Sequence, residues 1–407
     1  MLSLNKKISI YLILFSSLIF SYLLGENSSG GSKHDYFATQ KYIEVFQIDF
    51  YSGFELFRDS NELHFPFFYL IIGNISKITG ITFIHYFYLI ISSLIPLAFY
   101  NALKKKFLNI NNDSLFFLSI LIFFSPYFRS SAVWLTTDNL ALLFFVISIN
   151  FFLKIELENK TFFKNSLLCF LFLVLSSYIR HYYAIFFFLY FYISYNKFSL
   201  SKNLIIIIFN IILSIPALFY LNFITKGKSF SEPFYFLSGD FIFNFLFLGS
   251  LFLFYLIPFL INDFVPRYFK ERFSLKKNII FLTIILSVLI ISFYTLPNFE
   301  YGGGVFYKLS KIYYINIFYF FSILGCLIIL LLMDDSFKNY LIFLILIIIF
   351  PLTILFQKYY DPLLYIVLFT LMNSNFITKL IFNNKIKISF VAVYFLFFLI
   401  FSNIYYM

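Results

Sequence analysis

Long apolar runs follow one another along the whole chain, and short polar connectors separate them. Most runs are roughly 17 to 25 residues long, the length that an α-helix needs to cross the hydrocarbon layer of a bilayer. The pattern therefore predicts an all-α polytopic membrane protein with about 13 transmembrane helices. The predicted spans are residues 8–24, 81–102, 114–127, 136–153, 165–179, 182–196, 203–224, 241–261, 279–295, 312–332, 340–356, 362–374 and 388–404.

The composition agrees with this pattern. Hydrophobic residues make up 61% of the 407 residues and charged residues 12%, whereas soluble domains carry about 25% charged residues. These values exclude a soluble globular protein, so we treat residues 1–407 as a single integral membrane domain. No small-residue cleavage site follows the first apolar run, and we expect that run to be retained as a span.

The basic residues lie mainly in the short connectors. The net charge of +11 therefore indicates no nucleic-acid partner, since a protein that binds a nucleic-acid groove clusters its lysines and arginines. With the N-terminus inside, 19 lysines and arginines fall on the inner side and 7 in the short outer loops. The positive-inside rule explains this asymmetry. The C-terminus and the segment 25–80 are then predicted to lie on the extracytoplasmic side.

The segment 25–80 differs from the rest of the chain because it is long and neither continuously apolar nor basic. It carries six acidic residues between Asp35 and Glu62. Its residues 27–32 indicate a flexible lead, and the apolar spacing over 36–57 predicts short helices on the membrane surface. Residues 65–78 predict either a re-entrant or an interfacial helix.

Two polar groups in this segment are candidates for a chemical role. Asp35 is interpreted as a general base that deprotonates an acceptor hydroxyl, against the alternative of an ordinary exposed loop acid. His64 precedes Phe65 and Pro66, and we expect this group to end the surface segment and to orient the next helix.

Three basic residues on the predicted outer side are candidates for binding a lipid phosphate. They are Arg129, Arg180 and Lys358, which lie at the ends of different spans. Cations at headgroup level pair with an anionic phosphate, although each of them also has the alternative of reaching ordinary lipid headgroups or a nearby carboxylate. Asp138 opens the fourth predicted span, where an acid caps a helix N-terminus or pairs with Arg129 or Arg180.

Other parts of the sequence carry no recognisable chemistry. Gly302, Gly303 and Gly304 form a turn without the preceding strand that a nucleotide-binding loop needs. Cys169 and Cys326 lie inside apolar spans without metal-ligand spacing, so we expect both to fill the core.

The order of these features resembles the GT-C superfamily of integral membrane glycosyltransferases, which use polyprenyl-phosphate-linked sugars. An N-terminal span, an outer loop with an early acid, a His-x-Pro-aromatic group and a many-span body carry the resemblance. The blocks 125–139, 177–182 and 358–364 are further similar to the branch that uses dolichyl-phosphate glucose and to its bacterial relatives.

The resemblance implies a multi-pass protein of the bacterial cytoplasmic membrane with its active site facing the periplasm or exterior. It implies that Asp35 is catalytic, that Arg180 and Lys358, with Arg129, bind the donor phosphate, and that no nucleotide is needed. His34, His64, Asp138 and His181 would be supporting residues. Where the family usually has two acidic residues, this chain has His34 followed by Asp35. A single carboxylate is a poor Mg²⁺ site, so the sequence does not decide whether a divalent metal is needed.

The implied reaction transfers a sugar from a polyprenyl-phosphate donor to a glycan or lipid-linked acceptor. The alternative is a transporter or flippase of lipid-linked sugars. A transporter is expected to place ionisable residues in mid-span and to contain two related halves with broken helices. Here the charges lie mainly at the ends of the predicted spans.

Overall fold

In the part of the chain that it describes, the computed structural model contains helices and connecting loops and no strand. The described residues are 3–60, 65–108, 112–157, 163–225, 240–299, 302–313, 315–350, 352, 354–382 and 386–406. They divide into two compact units, Met1–Phe230 with Phe395–Met407, and Ser231–Tyr394. Both cysteines are buried free thiols, as predicted.

The first unit contains eleven helices in chain order and the end of the last helix. They are α1 (Leu4–Leu24), α2 (Ser32–Ile48), α3 (Phe50–Asp59), α4 (Phe67–Thr79), α5 (Ile81–Lys106), α6 (Asn112–Ile120), α7 (Pro126–Val133), α8 (Asp138–Leu157), α9 (Phe163–Ile179), α10 (Phe186–Lys197) and α11 (Leu200–Thr225). Two 3₁₀ helices, Leu121–Phe124 and His181–Ile185, precede α7 and α10.

The second unit is built from the following helices. They are α12 (Phe241–Leu260), α13 (Val265–Leu275), α14 (Lys277–Phe293), α15 (Gly304–Ile312), α16 (Ile315–Leu332), α17 (Phe337–Ile348), α18 (Gln357–Tyr360), α19 (Leu363–Thr370), α20 (Asn375–Phe382) and the start of α21 (Ile388–Tyr406). Helices α12 and α16 cross so closely that a Cβ on Gly325 would collide with the backbone of Gly249. Small residues permit such crossings between apolar helices.

The predicted count of 13 spans is not confirmed. Among the described residues, six helices are long and apolar enough to cross a membrane, and up to nine spans result if each bent pair counts as one. Helices such as α9 and α10 are apolar but have only 17 and 12 residues. An apolar run of about 10–14 residues suits a buried or re-entrant helix as well as part of a span. The described helices are therefore compatible with a multi-pass membrane protein, and several of the apolar ones are short.

The predicted third span is broken at Ser125–Pro126. The helical segments 113–124 and 126–133 meet there at an angle of 62°. Proline lacks the N–H that would continue the preceding helix, and the Ser125 hydroxyl accepts a hydrogen bond from Phe128 N at 3.1 Å, so it caps a new helix. The break redirects the chain at α7, which carries Arg129.

The segment 25–80 forms short helices, as predicted. Helices α2 and α3 pack together, and α2 packs on α4. Gly73 of α4 permits this approach, since a Cβ there would lie 3.0 Å from the Phe46 Cβ and 3.2 Å from its backbone. The aromatic rings of Tyr42, Phe57 and Tyr69 fill the space between the three helices.

The expected flexible lead at 27–32 is instead packed against α7. Ser28 is fully buried, and its hydroxyl donates to Pro126 O at 2.8 Å. Ser29 N donates to the Ser130 hydroxyl at 3.2 Å. Serine and glycine are common in flexible linkers, but here the Ser28 side chain bonds to a backbone carbonyl of α7, and the Ser130 side chain of α7 accepts from a backbone N–H of the lead.

The predicted orientation can be tested by cysteine labelling. We expect an impermeant maleimide to label Ala38→Cys in intact cells and Lys104→Cys only after permeabilisation, because the basic end of α5 belongs on the inner side. Both positions are exposed, and the native cysteines are buried, so the background is low. Equal labelling of both variants from outside would contradict the orientation.

Candidate functional site

The central feature of the first unit is an ion pair between Arg180 and Asp138. The Arg180 Nη2 and Asp138 Oδ1 atoms lie 2.9 Å apart, with 22% and 34% of their side chains exposed. Asp138 is the first residue of α8, and Arg180 follows the last residue of α9 in an extended conformation. The sequence analysis offered Arg129 or Arg180 as the partner of Asp138, and the structure brings Asp138 to Arg180.

Hydrogen bonds between α8 and α9 position this pair. The Ser176 hydroxyl, one turn before Arg180, donates to Ala141 O of α8 at 2.8 Å. The Thr136 hydroxyl donates to Asp138 Oδ2 at 3.2 Å. The Tyr88 hydroxyl of α5 donates to Thr136 O and accepts from Leu140 N. The carboxylate is thus held at a junction of three helices while part of the pair stays exposed.

The residues before α4 pack beside the end of α9. The Phe65 ring lies 4.9 Å from the Tyr178 ring and 5.4 Å from the Tyr220 ring of α11, measured between centroids. Phe67 contacts Tyr178 from another side at 5.8 Å. Tyr178 lies in the last turn of α9, two residues before Arg180 in the chain, so aromatic rings from the segment 25–80 pack on the end of the helix that leads into Arg180. His64 itself lies outside the described residues.

Asp35 and its neighbour His34 are exposed in the first turn of α2. The next residue, Tyr36, is anchored: its hydroxyl lies 2.9 Å from His85 Nε2 of α5, and its ring lies 5.9 Å from that of Trp134. His85 Nδ1 lies 3.3 Å from Val133 O. A carbonyl can only accept, so Nδ1 donates and Nε2 accepts from the tyrosine. These contacts fix the turn that carries Asp35.

His85 was missed by the sequence reasoning. It lies in the first half of an apolar helix, and an ionisable residue inside such a helix is itself a signal of a specific role. The structure shows a buried side chain that joins α5 to α2. Its partner Tyr36 could not be foreseen, since the two residues are 49 positions apart.

Arg129 is buried and pairs with Glu26, a residue that the sequence reasoning also passed over. Only 7% of the Arg129 side chain and 12% of the Glu26 side chain are exposed. Arg129 Nε and Nη2 donate to the Glu26 carboxylate at 2.9–3.2 Å, and Nη1 donates to the Ser17 hydroxyl at 3.0 Å. Burial would raise the pKa of Glu26, but the hydrogen bonds and charge of Arg129 outweigh it and lower the pKa below its ordinary value.

Lys358 belongs to the second unit. It is half-buried in α18, with its Nζ 5.6 Å from the centre of the Phe356 ring and 5.8 Å from that of Tyr359. The neighbouring Gln357 is buried and accepts a hydrogen bond from Val305 N at 3.1 Å. This contact ties α18 to the start of α15, just after the glycine turn.

The remaining candidates lie close to Arg180 in the chain or concern metal binding. His181 is exposed and begins the 3₁₀ helix after Arg180. Among the described residues, no group of three His, Cys, Asp or Glu side chains is arranged to hold a metal ion. The chemistry below is derived from side chains alone.

No protein-family model, curated protein or solved structure matches this chain. Function is therefore inferred from the residues and their arrangement.

Proposed function

We propose that the chain is a membrane glycosyltransferase that moves a sugar from a polyprenyl-phosphate donor to a glycan or lipid-linked acceptor. The observation that carries the proposal is the partly exposed Arg180–Asp138 pair at the junction of α8 and α9. The end of α9, which leads into Arg180, packs against aromatic rings from the segment that also bears Asp35. The proposed location is the extracytoplasmic side of the bacterial cytoplasmic membrane.

The chemistry of the transfer assigns a role to each group. Asp35 takes the proton of the acceptor hydroxyl while the hydroxyl oxygen attacks the anomeric carbon of the donor sugar. The bond between that carbon and the phosphate oxygen breaks, and the lipid phosphate leaves with increased negative charge. Arg180 stabilises this charge through charge-assisted hydrogen bonds. Asp138 holds the guanidinium in place until the donor arrives.

Exposure separates the roles of Arg129 and Arg180. The Arg129 guanidinium already donates to Glu26, Ser17 and Phe123 O, so a phosphate would have to displace a buried carboxylate. Breaking a buried pair is costly, about 3–5 kcal/mol. We therefore assign phosphate binding to Arg180 and a structural anchor to Arg129.

On the strength of the resemblance, phosphate binding is also proposed for Lys358, which belongs to the second unit and is assigned independently of Arg180. Its ammonium is flanked by two aromatic faces, which shield a cation from water and strengthen its interaction with an anion. The variant Lys358→Ala, measured in the same donor assay as the Arg180 variant, tests this assignment separately.

Arg180→Gln is expected to weaken the use of the donor by about 10- to 150-fold in kcat/KM, because one charge-assisted contact contributes about 1.5–3 kcal/mol. The measurement is turnover of a labelled polyprenyl-phosphate sugar by purified protein. Arg58→Gln is the matched control, since Arg58 forms ion pairs with Glu55 and Asp59 on the exposed side of α3.

Equal turnover by the Arg180→Gln variant and the wild type would show that Arg180 does not bind the donor phosphate. Movement of the intact donor across vesicle membranes, without cleavage of the sugar–phosphate bond, would instead establish the transporter alternative.

A further inference from the structure

An open groove of about 620 Å³ lies between α5 and α8, within the first unit. From α5 it is lined by Asn101, Lys104 and Lys105, from the residues just after that helix by Leu108, and from α8 by Asn150 and Phe151 among others. The described residues that line it include two lysines and no carboxylate. The groove therefore combines positive charge, amide groups and apolar walls.

The floor of the groove is rigidly built. Lys105 Nζ donates to the Asn150 Oδ1 at 2.8 Å and to the Asn150 carbonyl oxygen at 3.2 Å. The Asn150 amide nitrogen donates to Ala98 O of α5 at 2.8 Å and to Val146 O at 2.9 Å. These bonds join the two helices and hold the Lys105 ammonium in one place. Lys104 lies exposed at the rim.

An exposed apolar stripe leads into the groove along α5. Ile90, Leu94 and Leu97 are 51%, 43% and 40% exposed, and the spacing of three and four residues places them on one helix face with Asn101 and Lys104. The face changes from apolar to polar at Asn101. A lipid that lays an apolar chain along the stripe and places an anionic headgroup at Asn101 and Lys104 matches this change of surface.

The groove is separate from the candidate catalytic pair. Asp138 and Asn150 are twelve residues apart on α8, which corresponds to about 18 Å along a helix axis. The lysine-rich end of α5 belongs on the cytoplasmic side by the positive-inside rule. Basic pockets between helices on that side suit anionic lipid headgroups.

We propose that this groove binds the phosphate headgroup of an anionic glycerophospholipid, one acyl chain of which lies along the stripe of Ile90, Leu94 and Leu97. The phosphate accepts from Lys104 and Lys105, and Asn101 contributes an amide at the rim. The inference depends on the membrane location of the chain and is independent of the glycosyltransferase proposal.

The test is native mass spectrometry of the purified full chain in detergent, with phosphatidylglycerol or phosphatidylcholine of the same acyl chains added. We expect preferential binding of phosphatidylglycerol. Lys104→Gln should weaken it about fivefold, since one lysine near an anionic surface contributes about that factor. Lys106→Gln is the matched control: it removes the same charge one position on, from a residue that does not line the groove.

Three outcomes would overturn the proposal. They are equal binding of both lipids, the same loss in Lys106→Gln as in Lys104→Gln, and displacement of the lipid by inorganic phosphate at the lipid's own concentration, which would indicate a free-anion site. Each variant is first shown to keep the wild-type melting temperature in phosphatidylcholine, so that a folding defect cannot imitate a binding loss.

Discussion

Asp35→Asn is expected to lower the rate of sugar transfer by about 10²–10⁴-fold, the usual contribution of a general base. The amide keeps the size of the carboxylate and can still hydrogen-bond an acceptor hydroxyl, but it cannot take its proton at neutral pH. Asp35 is exposed in the first turn of α2, so the substitution should leave folding unchanged. Donor binding should also stay close to wild type. The measurement is single-turnover transfer alongside donor affinity.

Two other acids of the same segment serve as controls. Asp49 caps α3, accepting from Ser52 N and from the Ser52 hydroxyl at 2.8 and 2.9 Å, and asparagine caps a helix about as well as aspartate. Asp59 is 65% exposed and lies 3.1 Å from Arg58 Nε. Asp49→Asn and Asp59→Asn should therefore remain close to wild type. An active Asp35→Asn variant together with an inactive Asp49→Asn or Asp59→Asn variant would show that another acid of the segment is the general base.

Glu26→Gln is expected to destabilise the first unit by about 3–5 kcal/mol, because it leaves the buried Arg129 charge without its counter-ion. The measurement is unfolding in detergent, followed by the fluorescence of Trp134. This residue is the sole tryptophan of the chain, and its indole N–H donates to Glu26 O at 2.7 Å. Arg58→Gln removes a more exposed pair and should cost no more than about 1 kcal/mol.

The same pair predicts an acid dependence. The pKa of Glu26 in the folded state lies below its ordinary value of 4.5, so the folded state binds fewer protons than the unfolded state there. The stabilisation is therefore fully present above that value and is lost as pH falls through the lowered pKa. Glu26→Gln should lack this part of the pH dependence. Wild-type stability in Glu26→Gln, or an unchanged acid response, would contradict the anchoring role.

Hydropathy was a good guide to where helices occur, whereas the predicted count of 13 spans is not confirmed by the described residues. Every predicted span contains a helix, because burial in lipid or in protein selects the same apolar residues. The bend before Pro126 and the short length of α10 depend on breaks at single residues. Hydropathy averaged over the length of a span does not show such breaks. The lead at 27–32 is composed like a flexible linker, yet Ser28 is buried against α7.

The residue types of the candidate site were predictable, and Arg180 was one of the two partners that the sequence offered for Asp138, but the other pairings were not foreseen. Arg180 and Asp138 lie at helix ends, where a charged side chain can reach the polar boundary of an apolar segment. Both were identified as candidates for that reason. The pairing of Arg129 with Glu26 joins residues 103 positions apart, and the contact of Tyr36 with His85 spans 49. Such contacts follow from the packing of α1, α2, α5 and α7, which periodicity does not determine.

The central claim is most directly tested by adding radiolabelled polyprenyl-phosphate sugars to membranes that contain the chain, and by following both products. We predict that wild-type membranes consume one such donor, release polyprenyl phosphate in equal amount and transfer the label to an acceptor. Membranes with the same amount of Asp35→Asn protein should leave the donor intact. Intact donor in the wild-type membranes for every sugar tried, or equal consumption by the Asp35→Asn membranes, would contradict the account.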